Sequence, residues 1–191
     1  MAFLRAVNVG GHALKPSELA RSLRAFEVEN HGAAGTFVSY RPGRPGDLGR
    51  AISGAIPYPT EVMVCAVDSL GDLVRSRPFG TETPEPGSAW YLTILTRPPS
   101  PSPTLPIEMP EGPGWVLRVE RVIGSFVLSR RRLTEPGKFY PNEVVEKRFK
   151  LPATTRGWPT IEAIVAKAGR AMAGAEGRPA GTANKKGKSP T

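Results

Sequence analysis

Apolar runs and helix-like spacings alternate along the first part of the chain and predict a regular order of elements. Residues 2–8 form an apolar run without helical spacing, which predicts a buried strand. Pro16 suits the first turn of a helix. The apolar stripe of that helix recurs at i, i+4 and i+7, at Leu19, Leu23 and Phe26.

A hairpin, a second helix and another strand follow. Val28–Ala33 and Thr36–Tyr40 predict two short strands joined at Ala34-Gly35. We place Asp47 as the N-cap of the second helix. Its inward-facing residues are Leu48, Ile52, Ala55 and Ile56. The valine-rich stretch Glu61–Val67 predicts a strand. The resulting order, βαββαβ, is that of a ferredoxin-like fold, so other parts of the chain must cover the second face of its sheet.

The remainder of the chain predicts a second, smaller α+β unit. A helix over Ser69–Arg77 begins with a capping box of Ser69 and Asp72. Residues 97–114 hold seven prolines; this favours a stiff extended connector over the alternative, a PxxP-type ligand for a partner. Strands are expected at 90–96, at Trp115–Val119 and at Val122–Ser129, the last two paired around Glu120-Arg121, and helices at 142–149 and from Pro159 onwards.

These elements predict an α+β fold with three regions. Residues 1–67 form a ferredoxin-like subdomain, residues 68–169 form the second subdomain with the connector 97–114, and residues 170–191 form a disordered basic tail. With 39% hydrophobic and 23% charged residues, the chain of 191 residues is globular and long enough to bury a core.

The formal net charge of +9 favours partners that carry phosphate groups. Part of this charge lies in the tail, where residues 170–191 hold five basic residues and one acidic residue, Glu176. A tail rich in Ala, Gly, Pro and Lys cannot bury a core. It therefore either solubilises the protein or attracts anionic partners.

Cysteine usage and the apolar runs indicate a cytoplasmic protein that does not enter a membrane. The single Cys65 excludes an intramolecular disulfide and fits a reducing compartment. No apolar run approaches the ~20 residues of a membrane span, and residues 1–9 lack the apolar core of a signal peptide. Two histidines and one cysteine do not favour zinc, and no cluster of acidic residues indicates a magnesium site, so we expect no metal and no cofactor.

Four stretches together resemble a known family. They are LRAVNVGG (4–11), RSRPF (75–79), PNEVVEKRF (141–149) and LPATTRGWPTIEAIVAKA (151–168). Their order and spacing resemble those of the bacterial family called domain of unknown function 1697, over about residues 2–169. The resemblance implies two α+β subdomains in one compact unit, the first ferredoxin-like, and implies no established activity.

The chain departs from the usual pattern of that family at a few loop positions. Ala6 stands where glycine is common, and Thr36 stands where asparagine is common. Gly157 and Pro159 flank Trp158 where asparagines are usual. The loss of these polar residues weakens any site that the family would pass on to this chain.

The loop after the first strand is the first candidate anion site. Asn8, Gly10 and Gly11 would let backbone N–H groups approach a phosphate or carboxylate, and Arg5 or Lys15 would add positive charge. Neither the GxGxxG nor the GxxxxGK[ST] fingerprint occurs. The alternative is structural, because glycine permits a positive φ in a turn and Asn8 can hydrogen-bond to its own backbone.

A second candidate group lies nearer the C-terminus and comprises Lys138, Asn142, Thr154, Thr155, Arg156 and Trp158. An arginine offers a planar fork for phosphate or carboxylate, threonine hydroxyls add donors, and a tryptophan can stack on a base. The alternative is again structural: Thr155 caps a helix and Trp158 belongs to the core.

The third candidate is the arginine run Arg130, Arg131 and Arg132 within SRRRL (129–133). Other basic residues and aromatic residues lie near it in sequence: Arg118, Arg121, Arg148, Lys150, Trp115, Phe139 and Tyr140. This composition suits a nucleic-acid backbone, although the aromatic RNA-recognition signature is missing from the predicted strands. The alternative is a solvated basic edge that prevents aggregation of the sheet.

Three functions remain open. The basic clusters favour a binding module for an anionic ligand, either nucleic acid or a small molecule. An enzyme acting on a small phosphorylated or carboxylated substrate would use Arg156 and Lys138 as anion clamps, and a protein-interaction scaffold would use an edge strand or the proline segment. His12 and His31 lie beside no nucleophile motif. The sequence therefore predicts no catalytic residue, and it leaves the oligomeric state open.

Overall fold

The computed structural model describes residues 1–5, 15–31, 35–41, 43–81, 83–134 and 138–176. The strands in these ranges are β1 (Ala2–Leu4), β2 (Val28–Asn30), β3 (Thr36–Ser39), β4 (Val62–Val64), β5 (Ser88–Leu95), β6 (Ile107–Met109), β7 (Leu117–Ile123), β8 (Phe126–Arg132) and β9 (Ala153–Gly157). The helices are α1 (Pro16–Ser22), α2 (Pro45–Ala55), α3 (Val67–Arg75), α4 (Pro141–Phe149) and α5 (Trp158–Glu176).

The strands form two antiparallel sheets. The first sheet has the order β2-β3-β1-β4 and the second has the order β6-β7-β8-β5-β9. Helices together with two antiparallel sheets confirm the predicted α+β class. The first sheet also has the predicted succession of elements, β1-α1-β2-β3-α2-β4, and nothing in it conflicts with a ferredoxin-like arrangement.

Alternating residues give the first sheet two apolar faces, because successive side chains of a strand point to opposite sides. Ala2 and Leu4 lie in one core with Leu19 of α1 and with Leu48 and Ile52 of α2. Burial of each large apolar side chain contributes about 1.5–3 kcal/mol relative to exposure. The two predicted amphipathic helices therefore cover one face of the first sheet.

The other face of the first sheet lies in a core that the second sheet shares. Phe3 and Met63 pack in this core with Leu92 of β5, Leu70 of α3 and Ile161 of α5. All five side chains are fully buried. The second half of the chain thus covers the second face of the first sheet, as the sequence predicts.

The opposite face of the second sheet packs against α4. Val145 of α4 lies in a third core with Val119, Val127 and Leu95. The proline segment 97–114 contributes one short strand, β6, at the edge of this sheet. Proline has no backbone N–H to donate, so a proline-rich segment pairs at the edge of a sheet, where the fewest backbone donors are needed.

The structure corrects two predicted helix starts. Helix α2 begins at Pro45 with Arg44 as its N-cap, and Asp47 lies in the first turn instead of capping it. Proline fits the first helical position, so the helix starts before Asp47. Helix α3 begins at Val67 after Ala66, so the Ser69 capping box is wrong and the predicted strand through Val67 is too long. Ala55 is exposed instead of buried.

Two further corrections concern a turn and the chain end. The hairpin between β7 and β8 turns at Gly124-Ser125 instead of Glu120-Arg121, and Gly124 has a φ of +59° that an L-residue rarely adopts. Val119 and Arg121 flank a register shift inside β7. Helix α5 continues to Glu176, so residues 170–176 are helical and do not belong to the predicted tail. Residues 177–191 lie outside the described part of the chain.

Candidate functional site

Strand β9 carries the second candidate group into the space between the two sheets. It pairs antiparallel with β5, from Tyr91 opposite Gly157 to Leu95 opposite Ala153. Because side chains alternate, Thr154 and Arg156 point toward the first sheet, while Thr155 points to the opposite side, toward α4. The sequence did not predict this strand, and the alternative in which Thr155 caps a helix is wrong, because Thr155 lies inside β9.

Arg156 is buried where β9 meets β1 and β3. Its Nη2 donates to the Leu4 carbonyl at 3.3 Å, and its Nε donates to Thr36 Oγ1 at 3.3 Å. Its Nη1 donates to Thr154 Oγ1 and to the Thr155 carbonyl, both at 2.8 Å. Burial lowers the pKa of Arg156 to about 10, so it remains protonated at neutral pH. We call Arg156, Thr154, Thr36 and Leu4 the sheet junction.

An ion pair lies beside the sheet junction. Arg5 Nε and Nη2 donate to the two carboxylate oxygens of Glu146 at 2.6 and 3.0 Å, which is a bidentate geometry. Glu146 Oε1 also accepts the N–H of Ala153 at 2.8 Å. Partial burial would raise the pKa of Glu146, but the hydrogen bonds from Arg5 and Ala153 outweigh it and the pKa is lowered. The hydrogen bond to Glu146 raises the pKa of Arg5.

Hydroxyl and amide groups continue this network on the α4 side of the second sheet. Thr155 Oγ1 donates to Asn142 Oδ1 at 3.3 Å and lies 2.7 Å from Thr93 Oγ1. The structure therefore brings together five of the predicted site residues, Arg5, Asn142, Thr154, Thr155 and Arg156. Their hydrogen bonds go to other groups of the protein, so the arrangement favours a structural role in joining the two sheets.

The remaining residues of the first two candidate groups lie elsewhere. Trp158 is buried in the shared core, where Phe79 meets its ring edge to face at 5.2 Å. Lys138 is exposed, and its carbonyl accepts a hydrogen bond from Arg131. Asn8, Gly10 and Gly11 lie outside the described residues.

The arginine run is divided between the two faces of β8. Arg131 is buried on the α4 side, where its guanidinium lies 4.9 Å from the Tyr140 ring centre and donates to the Lys138 carbonyl at 2.9 Å. Arg130 and Arg132 lie on the opposite side, because they are two residues apart on the strand. Arg118 of β7 is the register partner of Arg130.

Arg118, Arg130 and Arg132 therefore share one face of the second sheet with Trp115 and Trp90, and we call these five residues the arginine face. The Arg132 guanidinium lies 4.0 Å from the centre of the Trp115 ring, and that of Arg118 lies 5.9 Å from it. The Arg130 guanidinium lies 5.4 Å from the Trp90 ring centre. The side chains of Arg118 and Arg130 are 38% and 33% exposed. The face is thus partly open to solvent.

Two glutamates balance part of this charge. Arg118 pairs with Glu108 at 3.4 Å, and Arg130 pairs with Glu120 at 3.0 Å. Arg132 donates to the carbonyls of Pro113 and Trp115, each at 3.2 Å. Glu108, Glu120 and Trp90 were not among the residues predicted for this site. The alternation of charges along β7 and β8 would have revealed Glu120 if the turn had been placed at Gly124.

Comparison with known proteins gives one match. The family model DUF1697, described as a protein of unknown function, matches residues 1–120. The chain belongs to the DUF1697 family. This match confirms the resemblance seen in the sequence, and it ends before the stretches 141–149 and 151–168, whose resemblance stays a prediction. No curated protein and no solved structure matches the chain significantly.

Two further features, a membrane-spanning helix and a metal-binding group, are absent from the described residues. No helix among them is long and apolar enough to cross a membrane. In the same residues, no three histidine, cysteine, aspartate or glutamate side chains are grouped so that they could hold a metal ion. DUF1697 membership adds no residue role, so any functional assignment depends on the geometry of this chain.

Proposed function

We propose that this DUF1697 protein binds single-stranded nucleic acid on the arginine face. The observation that carries the proposal is the placement of Arg118, Arg130 and Arg132 on one partly open sheet face beside Trp115 and Trp90. Arginines on such a surface contact phosphates, and the partly exposed ring of Trp115 beside them offers a stacking surface for a base. Stacking needs unpaired bases, which favours a single strand over a duplex.

Arg132 is held in place for contact with a phosphate group. The stacking of Arg132 on Trp115 and its hydrogen bonds to two carbonyls hold the guanidinium in place, so it loses little side-chain entropy on binding. Within the described residues, Arg132 has no carboxylate partner. Its positive charge is therefore available to a phosphate.

The two ion pairs on this face do not prevent binding. They are partly exposed to water, and exposed ion pairs of this kind contribute about 0–1 kcal/mol to the stability of the fold. A phosphate can therefore compete with Glu108 or Glu120 for its arginine. The overall charge of +9 also draws a polyanion toward the protein.

The proposal is tested by fluorescence anisotropy with a labelled single strand of about 12 nucleotides, at about 50 and 200 mM salt. Arg132→Ala should weaken binding about tenfold at low salt, which is ~1.4 kcal/mol. Glu120→Gln should tighten binding, because it removes the carboxylate that competes for Arg130. Unchanged affinity in both variants would contradict the proposal.

Two controls separate the arginine face from general attraction. Arg50→Ala removes an exposed arginine of α2, paired with Asp47, and should leave the affinity at low salt nearly unchanged. A full-length variant with Arg178, Lys185, Lys186 and Lys188 changed to Gln tests the basic C-terminal residues. Loss of all binding in that variant would place the binding outside the arginine face and refute the proposal.

A further inference from the structure

A cavity of about 330 Å³ lies next to the arginine face. Its lining includes Phe79, Trp90 and Trp158, and the charged residues Arg77 and Glu162. Trp90 belongs to both the cavity and the arginine face, because the Arg130 guanidinium lies 5.4 Å from its ring centre. A strand bound on the arginine face would therefore pass close to this cavity.

Aromatic rings form the inner wall of the cavity. Phe79 stacks on Trp90 with their ring centres 4.6 Å apart, and it meets Trp158 edge to face at 5.2 Å. All three side chains are buried, so their positions are fixed by the core. The accessible lining is mainly polar, and the rings add a small apolar patch against which the edge of a flat heterocycle can rest.

Arg77 and Glu162 are exposed at the same cavity and carry opposite charges. Neither side chain forms a hydrogen bond or ion pair with any other residue of the described ranges. The cavity therefore presents a planar donor group and a carboxylate acceptor to a ligand. A group with adjacent acceptor and donor atoms would satisfy both.

The backbone at Arg77 is unfavourable for an arginine. Arg77 has a φ of +47°, in the left-handed region where an L-residue is strained, and Gly80 follows in the same turn with a φ of +82°. The Gly80 N–H donates to the Arg77 carbonyl at 2.8 Å and closes this turn. Glycine at position 77 would make the same turn without strain, so the fold does not require the arginine side chain.

We infer that this cavity binds a guanine base of the single strand on the arginine face, and this inference rests on the proposed function. Guanine has acceptors at O6 and N7, to which an arginine can donate hydrogen bonds. It has donors at N1 and N2, from which a glutamate can accept hydrogen bonds. Adenine has an amino donor in place of O6 and lacks the donor at N1. The cavity therefore distinguishes these two purines.

The test compares labelled single strands that differ only in carrying guanine, adenine or inosine at one position. The full-length protein should bind the guanine strand about tenfold more tightly than the adenine strand, with inosine between them because it lacks the N2 amine. Arg77→Gly and Glu162→Gln should each remove the preference. Both should keep general binding and a Tm no lower than that of the parent protein.

Arg75→Ala is the matched control, because Arg75 is exposed, precedes Arg77 by two residues in the chain and pairs with Asp72 in α3. It should leave the guanine preference intact. The inference is overturned if the parent protein shows no preference among strands, or if the preference survives in both cavity variants. Either result leaves general binding, and so the proposed function, in place.

Guanosine monophosphate, measured by isothermal titration calorimetry, separates the two proposals. If the protein binds guanosine monophosphate but no strand, and Arg77→Gly abolishes that binding, the proposed function is refuted and the cavity is a site for a free nucleotide. Absence of both kinds of binding would refute both proposals.

Discussion

Arg156 of β9 donates a hydrogen bond to the carbonyl of Leu4 in β1 at 3.3 Å, although 152 residues separate them along the chain. The same guanidinium reaches Thr36 of β3. One side chain of the second sheet thus contacts both central strands of the first sheet. This relationship indicates that Arg156 holds the two halves of the molecule together.

The first prediction concerns the stability that Arg156 provides. Arg156→Ala would leave the hydroxyl groups of Thr36 and Thr154 buried without their donor, and the Leu4 carbonyl would keep only the hydrogen bond from Thr154. Such losses cost about 1–3 kcal/mol per buried polar group, so we expect the free energy of unfolding to fall by about 3 kcal/mol in urea titrations. Arg50→Ala, on the surface, should change it by less than about 0.5 kcal/mol. Equal effects of the two substitutions would show that the sheet junction does not join the sheets.

The second prediction concerns acid stability at Glu146. Its pKa in the folded protein lies below the ordinary value of 4.5, so the folded state binds fewer protons than the unfolded chain in that range. The stabilisation is present above about pH 4.5 and is lost as the pH falls through the folded pKa. The Glu146→Gln variant should therefore be less stable than the parent protein at neutral pH, and it should lose less stability when the pH is lowered. Parallel pH curves for the two proteins would contradict this.

The third prediction concerns His31, which is buried between β2 and α5. Burial, together with nearby Lys167, lowers its pKa below the ordinary 6.5, against the opposing effect of Glu29. The unfolded chain then binds more protons, so stability is full above about pH 6.5 and declines as the pH falls through the folded pKa. Tyr40 also faces the imidazole, with its hydroxyl 3.3 Å from Nε2, and stays neutral because its pKa is raised to about 12.

NMR titration of the His31 ring protons measures this pKa directly, with His31→Gln identifying the signals. The variant should also lose less stability than the parent protein between about pH 7 and 5. A titration midpoint at or above 6.5 would contradict the prediction.

The fourth prediction uses two glycines with opposite requirements. Gly124→Ala places a side chain at a φ of +59° and should destabilise the β7–β8 hairpin by about 1 kcal/mol. Gly54 lies in α2, with open space at its Cβ position, so Gly54→Ala should stabilise the protein by up to about 1 kcal/mol. Thermal unfolding of both variants measures the difference. A stabilising Gly124→Ala would show that the turn does not need the left-handed conformation.

The sequence predicted most elements, because their signals are local. Helix α1 follows from Pro16 and the spacing of Leu19 and Leu23, and both leucines are buried. Strand β9 could not be found in the same way. Its residues, Ala153–Gly157, follow Pro152 and read as a loop, and they become a strand only by pairing with β5, about 60 residues earlier.

For the candidate site, too, the sequence predicted what depends on residue type and did not predict what depends on tertiary packing. Residue types alone identified Arg5, Asn142, Thr154, Thr155 and Arg156, and the structure places all five in one network. Their enclosure depends on the packing of two sheets, which no local pattern encodes. The arginine run was predicted as one cluster, whereas strand alternation places Arg131 on the opposite face from Arg130 and Arg132. The pairing of Glu108 and Glu120 with arginines likewise depends on strand register.

The most direct test of the central claim is the salt dependence of single-strand binding in the Arg118→Ala/Arg132→Ala double variant. Each arginine that contacts a phosphate adds about one unit to the slope of log K against log salt. If the arginine face binds the strand, the slope of the double variant should be smaller than that of the parent protein by about two units. An unchanged slope in a folded double variant would mean that the phosphates lie elsewhere and that the arginine face is structural.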